Sequence, residues 1–73
     1  MTIDTAKQLR VGDKITHNGE WAYRVGEPRT YEVLTTDSDC IRVQMRGRVS
    51  LYEWGGCSLF VTRDFFASCK LSS

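Results

Sequence analysis

Hydrophobic and polar side chains alternate with a period of two through most of residues 30–54. The alternation is broken only by Asp37-Ser38-Asp39 and by Arg46-Gly47-Arg48, two short runs whose residue types favour tight turns. A period of two is typical of strands that bury one face, and short breaks between such strands indicate hairpins. The stretch therefore predicts three consecutive antiparallel strands, the first of them at residues 30–36.

The same alternation assigns the side chains of these strands to two faces. In the middle strand Ile41 and Val43 are expected inside, which places Arg42 and Gln44 on the outer face. The last strand leaves two assignments open, because either its aliphatic or its aromatic residues can face the core. The sets that share a face are Tyr31, Val33 and Thr35 in the first strand, Ile41, Val43 and Met45 in the second, and either Val49 with Leu51 or Ser50 with Tyr52 and Trp54 in the third.

Turn signals and a further apolar run flank the three strands. Asn18-Gly19 is the strongest turn signal and predicts a hairpin that folds residues 14–17 back on residues 20–24. Gly26-Glu27-Pro28 predicts a loop, since proline cannot sit in a central strand. The apolar run at residues 58–62 predicts a closing strand, which makes five in all.

Short helical turns are predicted near both ends of the chain. Thr5-Ala6-Lys7-Gln8 matches a capping box and predicts one helical turn through Leu9. Asp64 is expected to cap a second helical start, with Phe65 and Cys69 on one side of it. The residues from Lys70 onward are expected to fray.

The length and composition predict one soluble domain over residues 1–73, with a modest core. Ten Lys and Arg residues against nine Asp and Glu residues leave a formal net charge of +1. This balance disfavours indiscriminate binding to nucleic-acid backbones, which usually needs a strong basic excess. No apolar run approaches the ~20 residues that span a bilayer, and the first residues lack a secretory-signal pattern. A cytoplasmic location without membrane association is therefore expected.

The cysteines and the single histidine are the candidates for reactive chemistry. The chain has three cysteines, Cys40, Cys57 and Cys69. An odd number at these spacings does not suggest a disulfide framework, so free thiols are expected. His17 could form a catalytic dyad with one cysteine, or a Cys₃His zinc site with all three. Neither is favoured, because no motif places a base beside a thiol and no two ligands have zinc-knuckle spacing. The prediction is a non-enzymatic chain without metal or cofactor.

The order of these features resembles a known class of small β-barrels. The opening VGDKI, the segments YEV and IRV, and the run GRVSLYEW are similar to SH3-like barrels of the KOW and Tudor kind, over residues 9–62. The resemblance implies an all-β fold, namely a five-stranded antiparallel SH3-like barrel with short terminal helical turns. It also implies a binding module, since such barrels commonly bind proteins, peptides or nucleic acids. In size the chain is similar to small phage or prophage accessory proteins.

Arginines and aromatic residues gather on the strands at residues 40–54 and form the predicted contact surface. If Val49 and Leu51 face inward, the rings of Tyr52 and Trp54 face outward beside Arg42. Guanidinium groups beside exposed rings suit a protein-interface hot spot and equally the stacking of bases. The alternative is that the arginines are solvated and the rings close the barrel. The predicted partner-binding residues are Arg42, Gln44, Arg46, Arg48, Tyr52 and Trp54, with Trp21, Tyr23 and Arg24 as a second candidate patch.

These features predict a small module that binds a partner protein, such as a phage-type inhibitor or regulator of a host protein. The alternative is a nucleic-acid-binding SH3-like barrel that uses the same arginine and aromatic face. The net charge of +1 favours the protein partner, while the arginine cluster supports the nucleic acid.

Overall fold

The computed structural model describes residues 1–21 and 24–72, with Arg24 described through its backbone only. The strands among these residues are β1 (Lys14–His17), β2 (Glu20–Trp21), β3 (Arg24–Val25), β4 (Arg29–Thr36), β5 (Cys40–Met45), β6 (Arg48–Glu53) and β7 (Cys69–Leu71). The helices are α1 (Ile3–Ala6) and α2 (Leu59–Ala67), and a 3-10 turn at Gly56–Ser58 leads into α2. Neither helix is long and apolar enough to cross a membrane.

One antiparallel sheet of five strands organises the fold, in the order β6-β5-β4-β1-β7. β2 and β3 pair with each other in a separate two-stranded ribbon. The predicted β character and antiparallel pairing are thus confirmed in a mostly β fold with a short helix. The predicted barrel is not closed by hydrogen bonds among the described residues, because β6 and β7 are the two free ends of the sheet. α2 contacts both of these edge strands.

Three central strands supply the aliphatic part of the core. Ile15 on β1, Val33 on β4, and Ile41 and Val43 on β5 are buried on one face of the sheet. The predicted inward direction of Ile41 and Val43 is therefore confirmed. We call this the inner face, and the solvent-exposed opposite side the outer face.

Aromatic rings fill the space between the inner face and α2. Phe65 is fully buried, and its ring centroid lies 4.3 Å from that of Tyr52 and 5.2 Å from those of Tyr31 and His17. Phe66 packs edge-on against Phe65 at 5.0 Å. The helix is therefore held to the sheet mainly through ring contacts, in which Phe65 is central.

The apolar run at residues 58–62 forms the end of the 3-10 turn and the start of α2, so the predicted closing strand is wrong. The physical reason lies in the residues that follow the run. Thr62, Phe65 and Phe66 are buried at spacings of three and four, which is the period of a helix. A strand would have pointed Phe65 and Phe66 to opposite faces. Asp64 consequently lies inside α2 and is not the N-cap that the sequence predicted.

Asn18-Gly19 forms a turn but not the predicted hairpin of residues 14–17 with residues 20–24. The Asn18 side chain accepts a hydrogen bond from the Glu20 N–H at 2.8 Å, and Gly19 has a φ of +89°. β1 pairs with β4 on one side and with β7 on the other, so neither of its edges is left for β2. The turn instead leads the chain out of the main sheet and into β2. Residues 22 and 23 of the predicted hairpin lie outside the described residues.

A β-bulge in β4 corrects the predicted faces of that strand. Val33 opposes Val43, but Thr35 opposes Arg42, so the pairing shifts between these positions. The extra residue, Leu34, turns Thr35 to the outer face, whereas the core positions before it are as predicted.

Both ends of the chain also differ from prediction. α1 begins at Ile3, and its N-cap is Thr2, whose hydroxyl accepts a hydrogen bond from the Thr5 N–H at 3.2 Å. The predicted cap, Thr5, therefore lies inside the helix. Lys70 and Leu71, which were expected to fray, belong to β7 and pair with β1.

Candidate interaction surface

Part of the predicted site lies open to solvent on the outer face of β5 and β6. Arg42 opposes Leu51 in the ladder, and Gln44 opposes Val49. Val49 is 56% exposed and Leu51 is 49% exposed, while Gln44 donates a hydrogen bond to Glu32 Oε1 at 3.2 Å. Two aliphatic side chains thus lie beside a guanidinium and an amide. We refer to Arg42, Gln44, Val49 and Leu51 as the outer patch.

Two tight turns fix the position of this surface, and both occur where the sequence predicted them. Asp37 Oδ1 accepts hydrogen bonds from the N–H groups of Asp39 and Cys40 at 2.8 and 2.9 Å. These two donors hold the pKa of the Asp37 carboxyl below its usual value. At the other end of β5, Arg46 and Gly47 have φ values of 53° and 80°, as a two-residue hairpin turn requires.

Tyr52 and Trp54 lie on the inner face, so the predicted platform of exposed rings beside arginines is not formed. Tyr52 opposes Ile41 in the ladder and stacks on Phe65. Trp54 is only 7% exposed, and its Nε1 donates to the carbonyl oxygen of Asp37 at 3.1 Å. β6 therefore adopts the second of its two possible assignments. Two large rings bury more apolar area beneath α2 than its two aliphatic residues would.

Arg46 and Arg48 are exposed at the β5–β6 turn, next to the outer patch. With Glu27, Arg29 and Met45 they line a groove of about 750 Å³. The structure thus brings Arg42 and Gln44 together on the outer face, with Arg46 exposed in the adjoining turn. Arg48 is also exposed, but it opposes Met45 and therefore projects from the side of β6 that carries Tyr52. The outer-face residues are separated from Tyr52 and Trp54.

Val49 and Leu51 are the surface residues that the predicted site lacked. The relative sizes of the apolar side chains on the two faces of β6 are the signal that could have identified them. In so small a domain the larger apolar groups, here the two rings, are the ones expected in the core. The aliphatic pair on the same strand is then left facing solvent.

The second candidate patch is described only in part. The Trp21 ring stacks on His17 with centroids 4.3 Å apart and lies 5.9 Å from Phe65. Trp21 is half-buried and extends the aromatic core. Tyr23 and the side chain of Arg24 lie outside the described residues.

His17 belongs to the core rather than to an open site. It is 2% exposed, and its ring lies within stacking distance of Trp21 and Phe65. Its Nδ1 accepts a hydrogen bond from the Gly19 N–H at 2.9 Å, which requires the tautomer with its proton on Nε2. Burial lowers the pKa of His17 below its usual value, and the Asp64 carboxylate opposes this effect.

The stability of the protein should therefore fall as the pH drops below about 6.5, the pKa of an unperturbed histidine. Near that pH the unfolded chain takes up a proton at His17, whereas the folded chain does so only at a lower pH. The stability linked to this group is complete above the unfolded-state pKa and is lost on acidification. Urea unfolding at about pH 7 and about pH 5.5 measures the change. The His17→Phe variant should show a smaller change, and an equal change in both proteins would contradict the prediction.

His17 and Cys69 face each other on β1 and β7, but their environment does not suit a catalytic dyad. The Cys69 thiol donates to the carbonyl oxygen of Phe65 at 3.2 Å, and burial raises the pKa of Cys69 to about 12. A thiol in this state is not a nucleophile at neutral pH. Within the described part of the chain, no group of three or more His, Cys, Asp and Glu side chains could hold a metal ion.

The three thiols, all free, should react with an alkylating reagent at very different rates. Cys57 is exposed, Cys69 is buried, and burial together with Asp37 raises the pKa of Cys40. We expect one rapid modification per folded chain, located at Cys57 by peptide mass spectrometry. The Cys57→Ser variant should lose this rapid phase, and all three thiols should react in denaturant. Labelling of Cys69 at the rate of Cys57 would show that the core is open.

No family model, curated protein or solved structure matches the chain.

Proposed function

We propose that this chain is a non-enzymatic, SH3-like interaction module that binds a partner protein through the outer patch, as a phage-type inhibitor or regulator of a host protein would. The observation that carries the proposal is the exposure of Val49 and Leu51 on a sheet face whose opposite side already holds the core. The core of a protein interface combines apolar side chains with arginine, and Arg42 lies directly opposite Leu51.

The charges around the outer patch also suit a protein partner. Glu32 and Glu53 share the outer face with Arg42, and the whole chain carries a net charge of only +1. A surface of mixed charge gives an orientation-dependent contact with another protein, whereas a polyanion is best held by charge of one sign. The alternative, a nucleic-acid-binding barrel, requires exposed aromatic rings beside the arginines. Tyr52 faces the core, so base stacking on that ring lacks support.

Affinity capture from a lysate of the source cells tests the proposal, with nuclease present to remove bridging nucleic acid. A specific protein should be retained by the wild type and lost with the double variant Arg42→Glu/Leu51→Lys. The control is Val11→Glu, because Val11 is 66% exposed in the turn before β1 and the change lowers the net charge by one, as the double variant does. Retention by all three chains would contradict the proposal. Binding to an oligonucleotide that weakens steeply with salt would favour the alternative.

A further inference from the structure

The edge of β6 that faces away from β5 is the free edge of the sheet, and it carries backbone groups that no described strand pairs with. Opposite residues of an antiparallel pair alternate between hydrogen-bonded and non-hydrogen-bonded positions. The Trp54 N–H donates to the Asp39 carbonyl at 2.9 Å, in line with the β5–β6 register. Tyr52 and Ser50, two and four positions earlier, therefore also direct their backbone groups at β5. The backbone groups of Val49, Leu51 and Glu53 consequently point away from the sheet.

α2 closes one end of this open edge. The Thr62 hydroxyl donates to the Glu53 carbonyl oxygen at 2.7 Å, which occupies the acceptor at that end. Val49 and Leu51 remain, and each residue carries one N–H and one C=O. The open edge is therefore short, and its side chains are the two exposed aliphatic residues of the outer patch.

We propose that this edge pairs with the same edge of a second copy of the chain, antiparallel and centred on Ser50. In this arrangement Val49 lies opposite Leu51 of the second copy, and Leu51 opposite Val49 of the second copy. All the free backbone groups of these residues then gain partners, and the two sheets join into one. The proposal rests on the proposed function, because it names a second copy of this chain as the protein that contacts Val49 and Leu51 of the outer patch at the edge of the sheet.

The direction of the free backbone groups favours this register over registers that are shifted along the strand. A shift of one residue would place inner-face side chains opposite outer-face ones. Centring the pair on Leu51 would place Val49 opposite Glu53 of the second copy, whose carbonyl is already bonded to Thr62. Centring on Ser50 uses the free groups of both chains and meets neither obstacle.

Charge complementarity supports a second copy as the occupant. The turn at one end of β6 carries Arg46 and Arg48, and the other end carries Glu53. Antiparallel pairing about Ser50 places Glu53 opposite Gly47 of the second copy, beside its Arg46. The same contact forms twice by symmetry. Because the net charge is only +1, little repulsion opposes the association of two copies.

The joined edge is a small interface, so we expect a weak, concentration-dependent dimer. Sedimentation velocity of the full chain between about 1 µM and 1 mM should show the average mass rising from monomer toward dimer. Leu51→Lys should remain monomeric, whereas Val11→Lys should associate like the wild type. A wild type that stays monomeric throughout, or a Val11→Lys variant that loses as much association as Leu51→Lys, would overturn the proposal.

A charge exchange tests the contacts at the ends of the strands. Arg46→Glu and Glu53→Arg should each weaken self-association about tenfold or more, because each places like charges together. The double variant restores opposite charges at both ends and should associate within a few-fold of the wild type. A double variant weaker than either single variant would overturn the antiparallel arrangement.

A disulfide tests the register itself. Ser50 would face Ser50 of the second copy at a non-hydrogen-bonded position, where Cα atoms lie ~4.5 Å apart, within the range for a disulfide. In a Cys57→Ser background, Ser50→Cys should oxidise to a linked dimer much faster than Ser38→Cys, which places the thiol in the exposed β4–β5 turn. Equal rates would overturn the register. A chain that fails these tests but still captures another protein through Leu51 would reject the second copy and leave the proposed function intact.

Discussion

Replacing Phe65 with alanine should leave the chain largely unfolded in water. The Phe65 ring is fully buried and contacts the rings of His17, Tyr31 and Tyr52, so its removal opens a cavity between α2 and the sheet. Such truncations cost about 3–5 kcal/mol. A scaffold of this size has a total stability of roughly 3–5 kcal/mol, so the loss is comparable to the whole.

The control for this prediction lies on the same helix. Phe60 is 71% exposed, and Phe60→Ala should change the free energy of unfolding by less than about 0.5 kcal/mol. Urea unfolding followed by circular dichroism and tryptophan fluorescence measures both variants. A Phe65→Ala variant as stable as Phe60→Ala would show that α2 does not cover the inner face.

Trp54→Ala should also destabilise the fold severely, whereas Arg42→Ala should leave it intact. Trp54 is buried, stacks on Phe66 at 5.7 Å and donates a hydrogen bond to Asp37, and truncation of such a residue costs about 3–5 kcal/mol. Arg42 is exposed on the outer face, where a substitution changes stability by less than about 0.5 kcal/mol.

This pair of variants distinguishes the two assignments of β6. Thermal unfolding of both variants should show a large loss for Trp54→Ala and almost none for Arg42→Ala. If Trp54→Ala is instead as stable as the wild type, its ring faces solvent, and Val49 and Leu51 belong to the core. The outer patch would then not exist as described.

The strands at residues 29–53 could be predicted because their signals are local. Alternation, the Asp37-Ser38-Asp39 turn and the Arg46-Gly47-Arg48 turn all act between neighbours in the chain. The Asn18-Gly19 turn is equally local, and it does form. The pairing partner of β1 is not local, however, since it depends on β7, more than fifty residues away. The hairpin prediction was wrong for this reason.

The candidate site could be predicted in part for a similar reason. Alternation fixed which residues of β5 share a face, so Arg42 and Gln44 were placed correctly on the outer face. Alternation cannot decide which face of β6 is buried, because that depends on what covers the sheet. The element that covers the sheet is α2. The apolar run at the start of α2 favours a strand when it is considered without Phe65 and Phe66. The open edge of β6 follows from strand order, which no local pattern contains.

Site-specific photocrosslinking at position 51 is the most direct test of the claim that the outer patch is a protein contact surface. A photoreactive amino acid replaces Leu51 in one chain and Val11 in a control chain, and both are irradiated in lysate and as pure protein. We expect nuclease-resistant protein adducts at position 51, including a self-adduct in the pure sample, and far fewer at position 11. Equal adducts at both positions, or none at position 51, would contradict the claim.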